Sequence, residues 1–573
     1  MKKHQKKSKK REEPVSKIKA GSLRIIPLGG QEEVGRNMTV FEYGNDIVII
    51  DMGLQFPEEN MPGIDYVIPN TKYLSGKEKN IRAVVFTHGH LDHIGAAPIL
   101  LGKLGNPLII ARPLTISLIK NRLEELKNGS LGKLKALSVK SMNDKIKLGA
   151  FRLGFFPVDH SIMDAVGVII ETPQSTVIHP GDWTYEKDPI GRQPINYHHL
   201  SRLRKPTILM LESLASTNTT PRVSEKVMYN NLEKIIRDAP GRIIIGTFSS
   251  QIERIKFLIP LAEKYGRYVA FDGYSMKTNV EIAKKHGYLK FNKQTVIPIN
   301  KIADYPDKRI LVLCTGAQGE PRAVLSRIVE GSHRFVQIKK QDTIIFSSSI
   351  IPGNERTIQR LKDSLYRLSD NVIHSDIMDV HTSGHSTAQD MVEIMKQIRP
   401  TYFLPVYANH YFLKEAEKLA VRHGFPAKNI FILDNGSILE FIKGQPKLLS
   451  EKVSSNYVMV DGLGIGDVGS IVLRDRNVLA EDGMVVIIVK VDDKKKKLMG
   501  EPDIISRGFV YMKGSDQLIA DTKQKVKDIF NSNIHRKTTY WDPLKSKLRD
   551  DVGQYLFNKT QRRPMILPVL IEV

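Results

Sequence analysis

Cysteine is almost missing: the 573-residue chain carries one, Cys314. A single thiol excludes an intrachain disulfide framework and any cysteine-built zinc site. Metal binding, if it occurs, falls to histidine and carboxylate. The run Ile310–Cys314 is apolar in the manner of a buried strand, which argues against a catalytic thiol there. No stretch reaches the ~18 uninterrupted apolar residues of a membrane span. Met1–Arg11 is basic, but the apolar run that a secretory leader needs does not follow it. A cytoplasmic protein is therefore expected. No internal repeat is visible.

What the chain has in excess is positive charge. Its 86 Lys and Arg outnumber 62 Asp and Glu, a net +24, and only about a third of that comes from Met1–Arg11. A basic fold attracts polyanions, because each neutralised phosphate releases condensed counterions. The plain alternative is that the charge keeps a large protein soluble. Charge favours nucleic acid without saying which one.

The length predicts about two to four domains. Met1–Ala20 is Lys-rich and aperiodic and reads as a disordered tail, residues 1–20. Strand-like runs (Leu23–Leu28, Met38–Tyr43, Ile47–Asp51, Ala83–Phe86) then alternate with helical patterns (Leu114–Leu126, Val227–Arg237) to about residue 445. That alternation predicts an α/β core. A second α/β block, residues 208–380, contains Arg242–Gly246, Tyr268–Phe271 and Thr343–Phe346. Metal-type residues are sparse inside it and return around His381. It reads as one domain inserted into another, whose parts are 21–207 and 381–449. Residues 450–573, with Gly-rich turns at Asp461–Gly466, read as a separate small α/β domain.

The strongest chemical signal is Thr87-His88-Gly89-His90-Leu91-Asp92-His93-Ile94-Gly95, between an apolar strand and a helical run. His88 and His90, two apart in extended chain, point to one side. Asp92 and His93 at the helix start can turn to a neighbouring point. Four ligands so close together suit two adjacent ions better than one. Zinc accepts imidazole nitrogen and carboxylate oxygen at about 2.0–2.2 Å, and paired ions about 3.5–4 Å apart can activate water and clamp a phosphodiester. A lone histidine in such a loop would read as a surface residue; the clustered pattern does not.

This pattern resembles the metallo-β-lactamase superfamily, and further residues follow in its order. Asp51 resembles the first motif, whose aspartate orients ligands. His160 in Val158–Ile162 resembles the third motif. Asp182 in His179–Trp183 resembles the fourth, where a carboxylate bridges two metals. The inserted block resembles the β-CASP domain of nucleic-acid-processing members, with Glu212-Ser213 as its acidic motif A. Asp379–His385 resembles motif B, with His385 as its key histidine. Nearly the whole chain is similar to the ribonuclease J family, through Gly29–Asn37, Pro57-Glu58, Gly63–Pro69, Cys314–Pro321, Ser347–Asn354, Ile505–Tyr511 and Arg562–Pro568. The fold implied is α/β: a metallo-β-lactamase αββα sandwich with an inserted β-CASP α/β domain and a small C-terminal α/β domain. Two departures stand out. At motif A, Ala215 falls where the family has aspartate if Ser216-Thr217-Asn218 is held fixed, whereas Glu212 satisfies the motif if the strand is aligned. At motif C, Tyr407 replaces a metal-binding histidine, and His410 lies three residues on.

The resemblance implies two divalent ions, zinc first, with manganese or magnesium as alternatives. His88, His90 and His160 would hold one, Asp92 and His93 the other, with Asp182 bridging; His410 is an added candidate. His385 is the expected proton donor to the leaving 3′ oxygen, positioned by Glu212. Ser383, Gly384, Ser347, Ser348 and Ser349 are expected to cradle a substrate phosphate, although such Gly/Ser runs are also ordinary turns. The expected function is RNA hydrolysis in RNA processing and decay, as a 5′–3′ exonuclease, an endonuclease or both, leaving 5′-phosphate and 3′-hydroxyl ends. RNA is the expected partner, with no membrane. The family also suggests a homo-oligomer, dimer or tetramer, or a hetero-oligomer with a paralogue. Two other classes stay open: an RNA-binding structural subunit of impaired activity, and a hydrolase of small thioesters or lactams. The departures speak for the first. The insert, motif B and the basic charge speak against the second.

Overall fold

The computed structural model of the chain describes residues 15–573, apart from 127–130, 321, 352, 493–494, 511–514 and 534–540. Met1–Pro14, most of the expected tail, lie outside the described residues, as do Pro321, Pro352 and Tyr511 of the stretches named above. The rest of that tail is tied down: the Ser16 N–H donates to Glu451 at 2.8 Å, and its carbonyl accepts from the buried Arg24 at 2.7 Å. A buried guanidinium must find acceptors, and this segment supplies them.

The chain forms two compact units, Met1–Gln55 with Ile68–Tyr457, and Phe56–Val67 with Val458–Val573. The first contains an eight-stranded sheet in the order Gln445–Lys452, Ser437–Ile442, Leu23–Gly29, Met38–Tyr43, Asp46–Ile50, Ile81–Val85, Leu108–Ala111, Ala136–Ser138. A six-stranded sheet in the order Tyr402–Val406, Thr207–Glu212, Thr176–His179, Val166–Glu171, Phe151–Pro157, Ile146–Leu148 faces it. Strand alternation makes the sandwich. Val48 and Ile50 point inward and share one core with Val168, Ile170, Met210 and Leu404. The intervening Ile169, Leu209 and Leu211 point outward and are covered by the apolar stripes of helices Ala388–Ile398 and His410–Arg422. Each such aliphatic side chain, fully buried, contributes about 1.5–3 kcal/mol.

The strand Thr207–Glu212, with which the sequence reading opens the inserted block, pairs in parallel with Thr176–His179 on one side and Tyr402–Val406 on the other. It is a central strand of the sandwich. The insert's own sheet is wholly parallel, in the order Tyr268–Asp272, Ile310–Cys314, Ile243–Gly246, Thr343–Phe346, Asn371–Ile373. Helices cover both of its faces, which explains the unbroken apolar runs of these strands. Cys314 lies wholly inside one of those layers, where burial pushes its thiol up to about 12. It is inert packing.

In the second unit, Met484–Asp492 pairs antiparallel with Asp503–Arg507 and Lys497–Leu498 and in parallel with Met565–Glu572. Helices Asp516–Asn533 and Asp542–Thr560 pack on this sheet through Val526, Phe530, Leu548 and Val552. Among the described residues no helix is long and apolar enough to cross a membrane.

The sandwich does one thing for the site: it gathers strand ends. Asp51 follows Asp46–Ile50, the histidine loop follows Ile81–Val85, and His160 follows Phe151–Pro157. Asp182 follows Thr176–His179, Glu212 ends its own strand, and Tyr407 follows Tyr402–Val406.

Candidate metal centre

Three imidazole nitrogens converge. His90 Nδ1 lies 3.1 Å from His88 Nε2 and 3.0 Å from His160 Nε2. The outer nitrogen of each ring is engaged elsewhere: His88 Nδ1 at 3.0 Å from Thr87 Oγ1, His160 Nδ1 at 2.8 Å from the Gly384 carbonyl, and His90 Nε2 at 3.1 Å from Ser250 Oγ. A neutral ring that donates outward presents its inner lone pair. Burial holds all three rings neutral, pushing His90 down to about 4 and His160 to about 3, with His88 also lowered well below the usual range. Asp182 Oδ2 stands 4.0 Å from His88 Nε2 and 3.9 Å from His160 Nε2. Three lone pairs aimed at one point, with a carboxylate alongside, fit a divalent ion.

His93 sits beside them in a different field. Its Nδ1 is 2.8 Å from Asp51 Oδ2, and its Nε2 is 3.3 Å from Asp182 Oδ1, 3.5 Å from Asp92 Oδ2 and 2.9 Å from Asn37 Nδ2. Burial opposes the His93 cation, but the Asp182, Asp92 and Asp51 carboxylates outweigh it and raise its pKa well above the ordinary value. Asp51 does not point at the triad. It accepts from the Thr87 N–H at 2.8 Å and the Thr87 hydroxyl at 2.9 Å, and so fixes both the histidine loop and the His93 ring. Its φ of +62° is a conformation that non-glycine residues adopt only when the surroundings demand it. Asn37 was not singled out in the sequence, although it closes the stretch Gly29–Asn37.

On the other side of the triad, the His385 and His160 rings lie 5.4 Å apart between centroids. His385 Nδ1 is 3.5 Å from Glu212 Oε2, an ion-pair separation, while Glu212 Oε1 accepts the Leu214 N–H at 2.8 Å. Burial disfavours the His385 cation, yet Glu212, helped by Asp182 and Asp92, lifts its pKa to about 9. Glu212, fully buried, is itself raised by that burial, with the His385 charge opposing. Ser383 Oγ accepts the His385 N–H at 3.0 Å, and the Ser383 carbonyl accepts from Arg222 at 2.9 Å. His160, Ser161, Arg222, Gln251, Arg254 and Ser383 are among the residues that line a cavity beside the triad. Gly384 has no room for a side chain, since a Cβ there would lie 2.6 Å from Ser161 Oγ.

The metallo-beta-lactamase superfamily model matches residues 32–246, the ribonuclease J beta-CASP domain residues 240–365, and the ribonuclease J C-terminal domain residues 471–573. The chain is 35% identical to ribonuclease J 1 of Streptococcus pyogenes serotype M3, over 97% of this chain and 98% of that protein. It is 32% identical to ribonuclease J2 of Bacillus subtilis strain 168, over 98% of this chain and 100% of that one. The chain belongs to the ribonuclease J family. A crystal structure of a protein of unknown function from Enterococcus faecalis V583 shares the fold, with a TM-score of 0.52 and 15% identity over 75% of this chain and 100% of that one.

Two expected residues, His410 and Ser347, sit apart from the cluster, and Tyr407 stands where the family resemblance would place a histidine. Tyr407 is buried, with φ +59° and its ring 5.4 Å from that of His93. His179 Nδ1 accepts the Gly181 N–H at 3.1 Å, so its Nε2 carries the proton and donates to Tyr407 Oη at 3.1 Å. Burial, with the Asp51, Asp182 and Asp92 carboxylates, raises the phenol's pKa well above 10. The group is a neutral hydroxyl. Gly30 is required here, because a Cβ would stand 2.9 Å from the Tyr407 ring and 2.4 Å from Asn37 Oδ1.

His410 does not compensate for it. It opens helix His410–Arg422, its side chain is 52% exposed, and its Nδ1 lies 3.3 Å from Asp434 Oδ1. The half-buried Asp434, in the loop before strand Ser437–Ile442, pairs with the ring at the surface, away from the triad. His410→Ala should therefore keep the full wild-type metal content and change stability by less than about 0.5 kcal/mol. A fall in bound metal would return His410 to the ligand set. Ser347 is a second correction: its hydroxyl is wholly buried, donating to the Val380 carbonyl at 2.8 Å and accepting from Arg254, so it has no face for substrate. Ser348 is half-buried and Ser349 exposed, the Gln318 amide holding the Ser349 carbonyl at 2.7 Å.

Proposed function

We propose that this chain is a metal-dependent ribonuclease acting in RNA processing, with its hydrolytic site at the His88, His90, His160 and Asp182 cluster. The observation that carries the reading is that convergence of lone pairs, in a chain matched from end to end by proteins named ribonuclease J. The triad and Asp182 would hold one ion, and Asp92, His93 and Asp182 a second. Zinc best suits this set of imidazole nitrogens and carboxylates, with manganese or magnesium as alternatives. Divalent ions bound there supply a lowered pKa for water and a counter-charge for a phosphodiester. The protein's own groups do the rest. Asp51, bonded to the ring's far nitrogen, orients His93. His385, whose cation Glu212 supports, donates its proton to the leaving 3′ oxygen. The products are then a 5′-phosphate and a 3′-hydroxyl.

The cavity beside His160, with Arg222 and Ser383 at its wall, supports capture of a 5′-terminal phosphate. RNA with a 5′-monophosphate should be degraded from that end faster than RNA with a 5′-triphosphate, and binding should weaken as salt rises, in proportion to the phosphates contacted. Equal rates on both ends would remove the pocket, and salt-indifferent binding would remove the net +24 charge from substrate recognition. Assembly into dimers or tetramers, or with a paralogue, belongs to the same proposal and rests on family membership alone.

One observation favours a second reading, an RNA-binding subunit of weakened activity. Where the family pattern has an imidazole, Tyr407 presents a neutral phenol already bonded to His179. A phenol that keeps its proton is a poor ligand. Wild-type protein should thus hold one ion tightly and the second loosely, and Tyr407→His should raise the ion count measured after dialysis from one towards two. A wild type that retains two ions would clear Tyr407 of any such effect.

A further inference from the structure

The three rings of the triad are not all steadied by the domain that carries them. His88 leans on its neighbour Thr87, whereas His160 is held by the Gly384 carbonyl in the loop that follows the last strand of the five-stranded sheet. His90 is held by Ser250, in the loop between strand Ile243–Gly246 of that same sheet and helix Ile252–Lys264. Because His90 Nδ1 faces the other two imidazoles, its proton sits on Nε2 and is donated to Ser250 Oγ across 3.1 Å.

That hydroxyl is not free to wander. Thr247 Oγ1 lies 2.8 Å from Gln251 Oε1 and 3.0 Å from the Ser347 carbonyl, spanning the loop and fixing it to the next strand end. The Ile252 N–H closes on the Ser250 carbonyl at 2.8 Å, and Asn279 Nδ2 donates to the Ser249 carbonyl at 2.9 Å from helix Tyr274–Lys285. Two neighbouring elements of the inserted domain, the end of strand Thr343–Phe346 and helix Tyr274–Lys285, therefore fix the backbone around one serine, whose side chain, among the described residues, bonds to a ring of the triad. Groups that hold the far nitrogen of a ligating imidazole fix its tautomer and its aim.

We infer that Ser250 is a positioning residue for the metal centre: the inserted domain, through this hydroxyl, sets the orientation and affinity of His90. The inference rests on the metal reading above. The insert is then part of the metal site as well as a wall of the substrate cleft, and any displacement of the Thr247–Gln251 loop loosens the ion.

The test uses the full-length chain and zinc alone, titrated against a chromophoric chelator. Ser250→Ala should weaken zinc binding by about 10–100-fold, with the thermal midpoint of the metal-free protein unchanged. Ser250→Thr and Ser250→Val separate the hydroxyl from mere bulk: Thr should bind nearly as wild type and Val as Ala. Zinc affinity that is the same in wild type, Ser250→Ala and Ser250→Val overturns the inference while leaving the metal centre standing. Affinity lost equally in the Thr and Val variants also overturns it, by showing that space rather than the hydroxyl matters. A wild type that takes up no zinc at all overturns the metal reading and this inference together.

Discussion

Replacing His88 and His90 together with alanine should bring RNA cleavage down to the assay background and strip the protein of its tightly held ion. The two residues supply two of the three converging nitrogens, and the third, His160 Nε2, would be left with Asp182 as its only neighbour of ligand type in that group. A single imidazole and a carboxylate do not hold a divalent ion against a chelator. His88 is completely buried, so the double variant also opens space in the site. Its thermal midpoint should be recorded next to metal content to separate lost ligands from lost fold. Wild-type cleavage by double-variant protein shown to be metal-free would remove the cluster from the reaction.

The second large effect concerns His385. His385→Ala should lower kcat by about 10²–10⁴-fold with the metal content unchanged, because its Nδ1 faces Glu212 and the nitrogens that converge are those of His88, His90 and His160. The pH dependence follows with a definite sign. Burial works against the His385 cation, Glu212 outweighs burial, and the pKa stands at about 9. The proton needed by the leaving oxygen is lost as pH rises through the His385 pKa, so activity should fall on the alkaline side. Bound cations neutralise Asp182 and Asp92, which share in holding that proton, so in loaded enzyme the limb lies below 9. Glu212→Gln removes the main support and leaves burial, and should move the limb to lower pH by about 1–3 units. A limb that stays put in Glu212→Gln would detach Glu212 from His385. Metal lost in His385→Ala would make the histidine a ligand.

Much of this was legible in the sequence, and the reasons are physical. The His88–His93 loop was legible from its residues, because an apolar run ends there in clustered ligand-type side chains, whereas Asp51 and Asp182 joined it only through the resemblance to the metallo-β-lactamase motifs. The insert was legible as a second α/β block with apolar strands, because helices on both faces make such strands uniformly apolar. The same uniformity hid the membership of Thr207–Glu212, since an apolar run states that a strand is buried and not which sheet buries it. Hydrogen bonds across long sequence separations were not legible at all. Nothing local ties Ser250 to His90 or His179 to Tyr407, which are 160 and 228 residues apart. Ser347 looked like a phosphate cradle because small polar residues after a strand usually face solvent; the buried Arg254 claims it instead. Nor does anything local in the sequence tie His410 to Asp434, which holds it at the surface.

The central claim is tested most directly by cleavage of RNA labelled at its 5′ end and internally, using full-length wild-type protein before chelation, after chelation and after a divalent ion is restored. Cleavage should stop on chelation, return with the ion, and leave 5′-phosphate ends. Cleavage that continues at its full rate in protein shown to be free of metal would contradict it.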